Sequence, residues 1–143
     1  MTGYFKLLDT LTAECQAIAT VNSVTHGLGD AIDLDKQTIF PLIHIMIVDA
    51  TPTSNIVTFT LKIWVLDIVD FNPSKTDNLD YVHNDMYNIA LRLHSSLLRG
   101  NLWNQGLEVS NVKFTAIERA YENYLAGWQI DLSIMIPNHM SIC

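Results

Sequence analysis

Two segments of the chain space their apolar residues three and four positions apart, which is the period of an amphipathic α-helix. The first segment covers residues 4–19 and the second covers residues 79–99. The apolar stripe of the second segment consists of Leu79, Val82, Met86, Ile89, Ala90, Leu93 and Leu97. Gly100 follows at a position where a glycine often ends a helix. The pattern predicts two helices, each with one face packed on a core.

Two further regions have the pattern of β-hairpins. Residues 40–50 are almost all apolar, which is typical of a strand covered on both faces, and residues 56–70 alternate apolar and polar side chains. Turn-forming residues between them make residues 40–70 a long predicted hairpin. Residues 107–137 predict a second hairpin, with an irregularity near residues 110–111 that is typical of a β-bulge.

The last strand of this C-terminal hairpin alternates most clearly. From Trp128 to Ile136 every even-numbered residue is apolar, whereas Gln129 and Asp131 are polar. Pro137 then ends the pattern, because proline cannot donate to a strand ladder. The alternation predicts a strand with one dry face, packed on the core.

Residues 20–39 have no sustained period and contain two glycines, so they are predicted to form a long loop. A short edge strand around residues 21–24 is an alternative within this segment. The length of 143 residues favours one structural domain over residues 1–143. We therefore expect an α+β fold in the order αββαββ, with a mainly antiparallel sheet packed on the helices.

Charge is scarce and mostly negative. Charged residues make up 16% of the chain, compared with roughly 25% in typical soluble domains. Some of the surface is therefore expected to be covered by another subunit. The net charge of −7, from eight Lys+Arg and fifteen Asp+Glu, disfavours tight DNA binding, which needs a basic patch.

The chain has two cysteines and no segment that resembles a targeting or membrane sequence. No stretch approaches 18 uninterrupted apolar residues, and the N-terminal residues lack the apolar run of a signal peptide. A reducing cytosolic origin, with no membrane contact, is expected. Cys15 lies on the apolar stripe of the first helix and Cys143 is the last residue, so neither a disulfide framework nor a zinc site is predicted.

Histidines are the first candidates for chemistry. His83, Asp85, Tyr87 and His94 lie on the second predicted helix, but His83 and His94 are eleven residues apart, about 16 Å at about 1.5 Å per residue. One metal ion cannot bind both, so solvated polar-face histidines are the preferred interpretation. His44 lies within an apolar strand, where a hydrogen-bonded core or interface histidine is favoured over a general base.

An acidic cluster in the predicted loop is the next candidate. Asp30, Asp33 and Asp35 lack the alternating spacing, the central glycine and the following glutamate of a calcium loop. A solvated acidic loop is the preferred interpretation. The chain also has no G-x-S-x-G motif and no phosphate-binding glycine loop with its lysine.

The remaining candidates are surface residues. Glu118, Arg119 and Glu122 indicate an ion-pair patch that contributes little to stability. Trp64 lies on the polar side of its strand, so it is either an exposed interface anchor or a residue covered by one of the helices. No nucleophile, base and oxyanion-binding set can be assembled. We therefore predict no catalytic, cofactor-binding or metal-binding residues and no cofactor, and the chain is expected not to be an enzyme.

Two stretches carry a resemblance to a known family. They are IDLDKQTIFPLIHI at residues 32–45 and YLAGWQIDLSIMIPN at residues 124–138, with the helical sequence of residues 77–98 between them. Together they resemble the small head–tail connector proteins of tailed bacteriophages, and are most similar to those of phages infecting Bacteroidetes, including the crAss-like group. The order of helices and hairpins also resembles the tail-terminator or neck-ring fold.

This resemblance implies a structural virion protein that forms a homo-oligomeric ring at the phage neck or tail end. The implied partners are neighbouring portal, neck or tail proteins, and DNA would pass through the channel without specific binding. Rings use head-to-tail contacts between two different patches of each subunit. Residues 40–70 and the loop at 20–39 are the segments expected to contact neighbours.

Two alternatives remain open on the sequence alone. The first is a cytosolic α+β enzyme or small-ligand-binding protein with a pocket between the sheet and helix 79–99, near His44 or His83. The second is a module of a bacterial contractile injection system, which would have a related fold. Neighbouring genes for portal, capsid and tail proteins would favour a virion protein, and metabolic genes would favour the first alternative.

Overall fold

The computed structural model describes residues 3–27, 41–53, 56–68, 79–99, 108–120 and 125–137. The elements in these ranges are α1 (Gly3–Gln16), β1 (Ser23–His26), β2 (Leu42–Pro52), β3 (Ile56–Ile68), α2 (Leu79–Arg99), β4 (Glu108–Ala120) and β5 (Leu125–Pro137). They form an α+β domain in the order αβββαββ, with two helices packed on a five-stranded sheet.

The strands form one mixed, mostly antiparallel sheet in the spatial order β1-β2-β3-β5-β4. β1 runs parallel to β2, and every other neighbouring pair is antiparallel. β3 and β5 pair without a break from Ile56 opposite Pro137 to Ile68 opposite Leu125. The strand nearest the C-terminus, β5, is therefore an interior strand, and β4 lies at an edge of the sheet.

The predicted order αββαββ is wrong by one strand. Residues 23–26, inside the predicted loop 20–39, form β1 and pair with residues 42–45 of β2. The edge strand considered around residues 21–24 is present, two residues further along. Four residues are too few to show a period, and the parallel partner is remote in sequence, so local pattern could not decide this strand. Residues 28–40 of the predicted loop lie outside the described residues.

The two predicted helices are confirmed. The second has the predicted bounds, Leu79–Arg99. The first ends at Gln16 rather than at residue 19, because residues 17–20 continue as turns. Gly100, the expected terminator of the second helix, is not among the described residues.

Both predicted hairpins are also confirmed. The hairpin predicted for residues 40–70 consists of β2 and β3, and the one predicted for residues 107–137 consists of β4 and β5. The predicted irregularity is a register shift between Ser110 and Lys113, where Asn111 has a φ of 54°. A second register shift lies in β2, between Ile47 and Asp49.

The main core lies between the helices and one face of the sheet. Its members include Leu7, Leu8, Leu11, Cys15 and Ile18 from α1 and its end, Val82, Met86, Ile89, Leu93 and Leu97 from α2, and Ile43, Ile45, Phe59, Leu61, Ile63, Val65, Ile130, Leu132, Ile134 and Ile136 from the sheet. The predicted dry face of the last strand is thus confirmed, with Trp128 half-buried at its end. Cys15 is buried here, as predicted.

A smaller buried cluster lies on the opposite face of the sheet, which we call the helix-free face because no helix among the described residues packs on it. It consists of Leu42, Trp64, Leu66 and Leu125, and no described helix residue belongs to it. Cross-strand partners share a face, and Leu42 is opposite Leu66 in the ladder. The prediction that residues 40–50 are covered on both faces holds only for this end of the hairpin. Residues 42–45 are buried, but residues 48–52 are exposed.

Candidate functional site

His44 is the only polar side chain that is fully buried among the described residues, and it links the two parallel strands. Its Nε2 lies 3.1 Å from the Gly27 carbonyl oxygen, which can only accept, so Nε2–H is the donor. Its Nδ1 lies 2.6 Å from Thr25 Oγ1, and in the neutral ring the Thr25 hydroxyl donates to it. Both ring nitrogens are therefore satisfied by β1 and the residue after it. The predicted hydrogen-bonded core histidine is confirmed.

Trp64 begins a second polar chain on the helix-free face. Its Nε1–H donates to Gln129 Oε1 at 3.1 Å, and the Gln129 amide donates to both carboxylate oxygens of Asp131 at 3.1 and 3.2 Å. Trp64 is 7% exposed and packs in the helix-free cluster. Both predictions for Trp64 are wrong, since the side chain is neither exposed nor covered by a described helix. Its role is to hold β3 and β5 together across the face.

The histidines of α2 belong to an aromatic row between the helix and the sheet. His83 Nε2–H donates to the Ile117 carbonyl oxygen at 2.8 Å, and Trp128 Nε1–H donates to the His83 carbonyl oxygen at 2.9 Å. His94 packs edge-on against Phe114 with ring centroids 6.1 Å apart. The expectation that these histidines are solvated is wrong, because both are half-buried and packed. They anchor α2 to β4 and β5.

Beside this row, α2 presents a partly exposed strip. Tyr87, Leu91, His94 and Leu98 follow at intervals of four, three and four residues, so they lie on one side of the helix. We call these four residues the helix strip. The exposed fractions are 39% for Tyr87, 39% for Leu91 and 44% for Leu98. Tyr87 and His94 both pack on Phe114, which places the strip at the β4 side of the molecule.

The helix strip is not among the sites predicted from the sequence. Its signal is present there, since Leu91 and Leu98 are seven residues apart and lie outside the main apolar stripe of the helix. A second apolar line on a helix that already has a buried face indicates a contact beyond the monomer core.

The distal end of the β2–β3 hairpin is a second exposed surface with apolar side chains. Residues 48–53 and Ile56 are exposed, and Val48 and Ile56 expose 42% and 40% of their surface. The tip is closed by Thr53, whose amide donates to the Ile56 carbonyl oxygen at 2.7 Å and whose hydroxyl donates to the same oxygen at 2.8 Å. β3 is paired with β5 as far as Ile56, so the exposed part of this hairpin is the distal half of β2 together with Ile56. We call residues 48–53 and Ile56 the hairpin arm.

A cavity of about 430 Å³ lies on the other flank of α2. Pro41 and Asp67, at the ends of the β2–β3 pair, and Asp85 and Arg92 of the helix are among its lining residues. The size is within the usual range for small-ligand sites. Neither His44 nor His83 lines it, so the histidines named for the alternative pocket are not brought together there.

The described residues also bear on metal binding, membrane spans and the reactivity of Cys15. Within the part of the chain that the structure describes, no group of three His, Cys, Asp or Glu side chains is placed to hold a metal ion. In the same part, no helix is long and apolar enough to cross a membrane. Burial, and to a lesser degree the charge of Glu14, raises the pKa of the Cys15 thiol from 9.0 to about 12, so this cysteine is not a nucleophile near neutral pH.

Several predicted residues cannot be placed. Asp30, Asp33, Asp35, Glu122 and Cys143 lie outside the described residues. The side chains of Glu118 and Arg119, which are in β4, are also outside the described part.

Among the described residues, the geometry is that of a small α+β domain in which His44 and Trp64 bond to neighbouring strands and a strand edge, the hairpin arm and the helix strip are exposed. No protein-family model matches the chain. No curated protein matches it at a significant level.

Proposed function

We propose that the chain is a structural virion protein, a head–tail connector or tail-completion subunit that assembles into a ring at the neck or tail end of a tailed bacteriophage. The observation that carries the proposal is the hairpin arm, whose residues are all exposed and whose apolar side chains Val48 and Ile56 expose 42% and 40% of their surface. An arm of this kind provides a patch for a neighbouring subunit. The sequence resemblance implies a tail-terminator-like α+β fold, and the observed order αβββαββ differs from the expected αββαββ by the additional strand β1.

The polar groups of the domain support a structural role. Buried His44 and Trp64 are each engaged in hydrogen bonds that hold strands together. A catalytic histidine needs a nitrogen that is free to face a substrate, whereas both nitrogens of His44 bond to the chain itself. Under this proposal the protein has no enzymatic activity and works through assembly with portal, neck or tail proteins.

The location of the protein in assembled particles tests this proposal. A phage carrying an amber codon in this gene should yield DNA-filled heads without stable tails, and the wild-type gene supplied in trans should restore plaques. Cryo-electron microscopy of wild-type virions should show the chain as a ring at the neck or tail end. Intact, infectious virions that lack the chain would overturn the proposal.

The cavity beside α2 supports a second candidate, a cytosolic enzyme or small-ligand-binding protein. It lies between the sheet and helix 79–99, where that alternative requires a pocket, and has Arg92 and two aspartates in its wall. Asn88→Trp should fill the cavity, and Tyr81→Trp, at a 76% exposed site on the same helix, is the matched control. A ligand-binding protein loses ligand-induced thermal stabilisation with Asn88→Trp only, while a connector keeps its assembly with both variants.

A further inference from the structure

Besides the outer edge of the four-residue strand β1, the sheet has two strand edges that no described residue pairs with. The first is the outer edge of β4, since β4 pairs only with β5 among the described strands. The second is the distal part of β2, residues 46–52, because β1 pairs only with residues 42–45. We call the second one the β2 edge. Unpaired backbone N–H and C=O groups in an edge are a template for another strand.

The strand directions of these two edges allow antiparallel pairing between two copies of the chain. β2 is antiparallel to β3, β3 to β5, and β5 to β4, so β2 and β4 run in opposite directions across the sheet. When a second copy is placed beside the first in the same orientation, its β4 lies antiparallel to the β2 edge. Antiparallel pairing is slightly more stable per residue than parallel pairing. The helices of both copies also stay on the same side of the joined sheet.

The side chains next to the two edges support the same contact. On the β4 side, the helix strip exposes Tyr87, Leu91 and Leu98 beside Phe114. On the β2 edge, Val48 is the extra residue at the register shift and is 42% exposed. Joining the edges would remove both apolar surfaces from water, at about 25 cal/mol per Å².

Charge favours joining the two different edges over pairing the β2 edge with itself. Asp49 is the only charged residue of the β2 edge, and two copies of this edge would bring two carboxylates together. Lys113 of β4 is exposed and, like Asp49, lies on the helix-free face, because its ladder partner is Asp131 while the partner of Asp49 is Thr60. Asp49 and Lys113 then share one face of the joined sheet, which also holds the exposed Glu108 of β4, the ladder partner of Met135.

We propose that copies of this chain assemble head to tail, with the β2 edge of one subunit pairing antiparallel with β4 of the next, and with the helix strip covered in the same contact. This inference rests on the proposed ring and specifies its interface. Each subunit uses one edge for each neighbour, so the contact propagates in one direction and closes when the rotation per subunit completes a circle.

Two half-blocked variants test this arrangement. Val48→Lys blocks only the β2 edge, and Leu91→Glu with Leu98→Glu blocks only the β4 side. Each should raise the dissociation constant on the order of 100-fold and give monomers in native mass spectrometry. Tyr81→Lys, at a site that is 76% exposed and outside both surfaces, is the control and should leave the ring intact. Circular dichroism and thermal midpoints must show that every variant is folded.

Mixing the two half-blocked variants gives the decisive result. Each retains the surface that the other lacks, so an equimolar mixture should form dimers and nothing larger. A variant that forms dimers alone would show a symmetric contact and overturn the inference, as would rings that persist in either variant or a wild-type chain that stays monomeric.

The outcome for the proposed function is separate. Rings in the virion that both variants leave intact would keep the proposed function and reject this interface. Absence of the chain from virions would reject the proposed function even where the mixture forms dimers.

Discussion

At the scale of single residues, two described glycines have a positive φ, and Gly127 has less room for a side chain than Gly27. It lies in β5 with a φ of 155°, and a Cβ at this position would overlap the Val65 carbonyl oxygen of the neighbouring strand. Gly27, with a φ of 125°, has open space where a Cβ would stand, with no other atom within 4 Å. Substituting each glycine therefore distinguishes two costs. A positive φ penalises a side chain at both positions, whereas steric overlap applies only at Gly127.

We expect Gly127→Ala to lower the free energy of unfolding by about 3 kcal/mol or more, because β3 and β5 must move apart. Gly27→Ala should cost only about 1 kcal/mol, the usual penalty for a non-glycine residue at positive φ. Urea unfolding followed by circular dichroism measures both. Equal losses for the two variants would contradict the close approach of the backbones.

The Thr25 hydroxyl is expected to stabilise the attachment of β1. Thr25→Val keeps the shape of the side chain but leaves the buried Nδ1 of His44 without this donor. The free energy of unfolding should fall by about 1–3 kcal/mol. Thr12→Val is a suitable comparison, because the Thr12 hydroxyl only adds a bond to a helical carbonyl oxygen, that of Leu8. A loss at Thr25 no larger than that at Thr12 would contradict the role of the histidine.

The buried thiol of Cys15 is expected to lower the free energy of unfolding at alkaline pH. The pKa of its thiol is about 12 in the folded chain and near 9.0 when exposed, so the folded state keeps the proton that the unfolded state loses between these values. Stability from this residue is full below about pH 9 and falls as pH rises towards 12. Between about pH 8 and about pH 10 the loss should be on the order of 1 kcal/mol.

The comparison with Cys15→Ala isolates this effect, since other groups titrate equally in both proteins. In a Cys143→Ser background, Cys15 should also react with iodoacetamide at about pH 8 only after unfolding, because the thiolate is the reactive form. Fast labelling of the native protein would contradict its burial.

At the scale of elements, pairing on both sides distinguishes β3 and β5 from the edge strands. β3 pairs with β2 and β5, and β5 pairs with β3 and β4, and the β3–β5 pairing runs over the whole length of both strands. Amide hydrogen exchange should therefore be slowest in these two strands, and at least about 100-fold faster in β1 and in residues 48–53 of a monomeric sample. The Val48→Lys variant supplies that monomer. Protection of β1 equal to that of β5 would contradict the edge position of β1.

The elements also show which parts of the fold the local sequence pattern could predict. The helix at 79–99 and the dry face of the last strand were predictable because each has a long, regular period. β1 could be given only as an alternative around residues 21–24, because its four residues SVTH form a strand only by pairing with β2. Among the candidate residues, His44 was expected to form hydrogen bonds. Its partner Thr25 could not be identified, because the two residues lie on different strands that are far apart in sequence.

At the scale of the whole molecule, net charge is the property that bears on DNA. With a net charge of −7, the chain should not retain duplex DNA at physiological salt. Its affinity should be weaker than that of non-specific DNA-binding proteins, whose dissociation constants are on the order of 10⁻⁴–10⁻⁶ M. Fluorescence anisotropy of a labelled duplex measures this. Binding that strengthens steeply as salt is lowered would contradict the proposed passive channel and indicate a basic surface in the assembled ring.

Local periodicity was enough to specify the helices, the two hairpins and the dry face of the last strand, because it reports which side of an element avoids water. Tertiary contacts alone place β5 between β3 and β4, bury Trp64 on the helix-free face, and leave β4 and residues 46–52 without a further partner among the described strands. These features depend on contacts between residues far apart in the chain. A pattern within one element cannot specify its neighbour, and the neighbour decides which surfaces remain open for assembly.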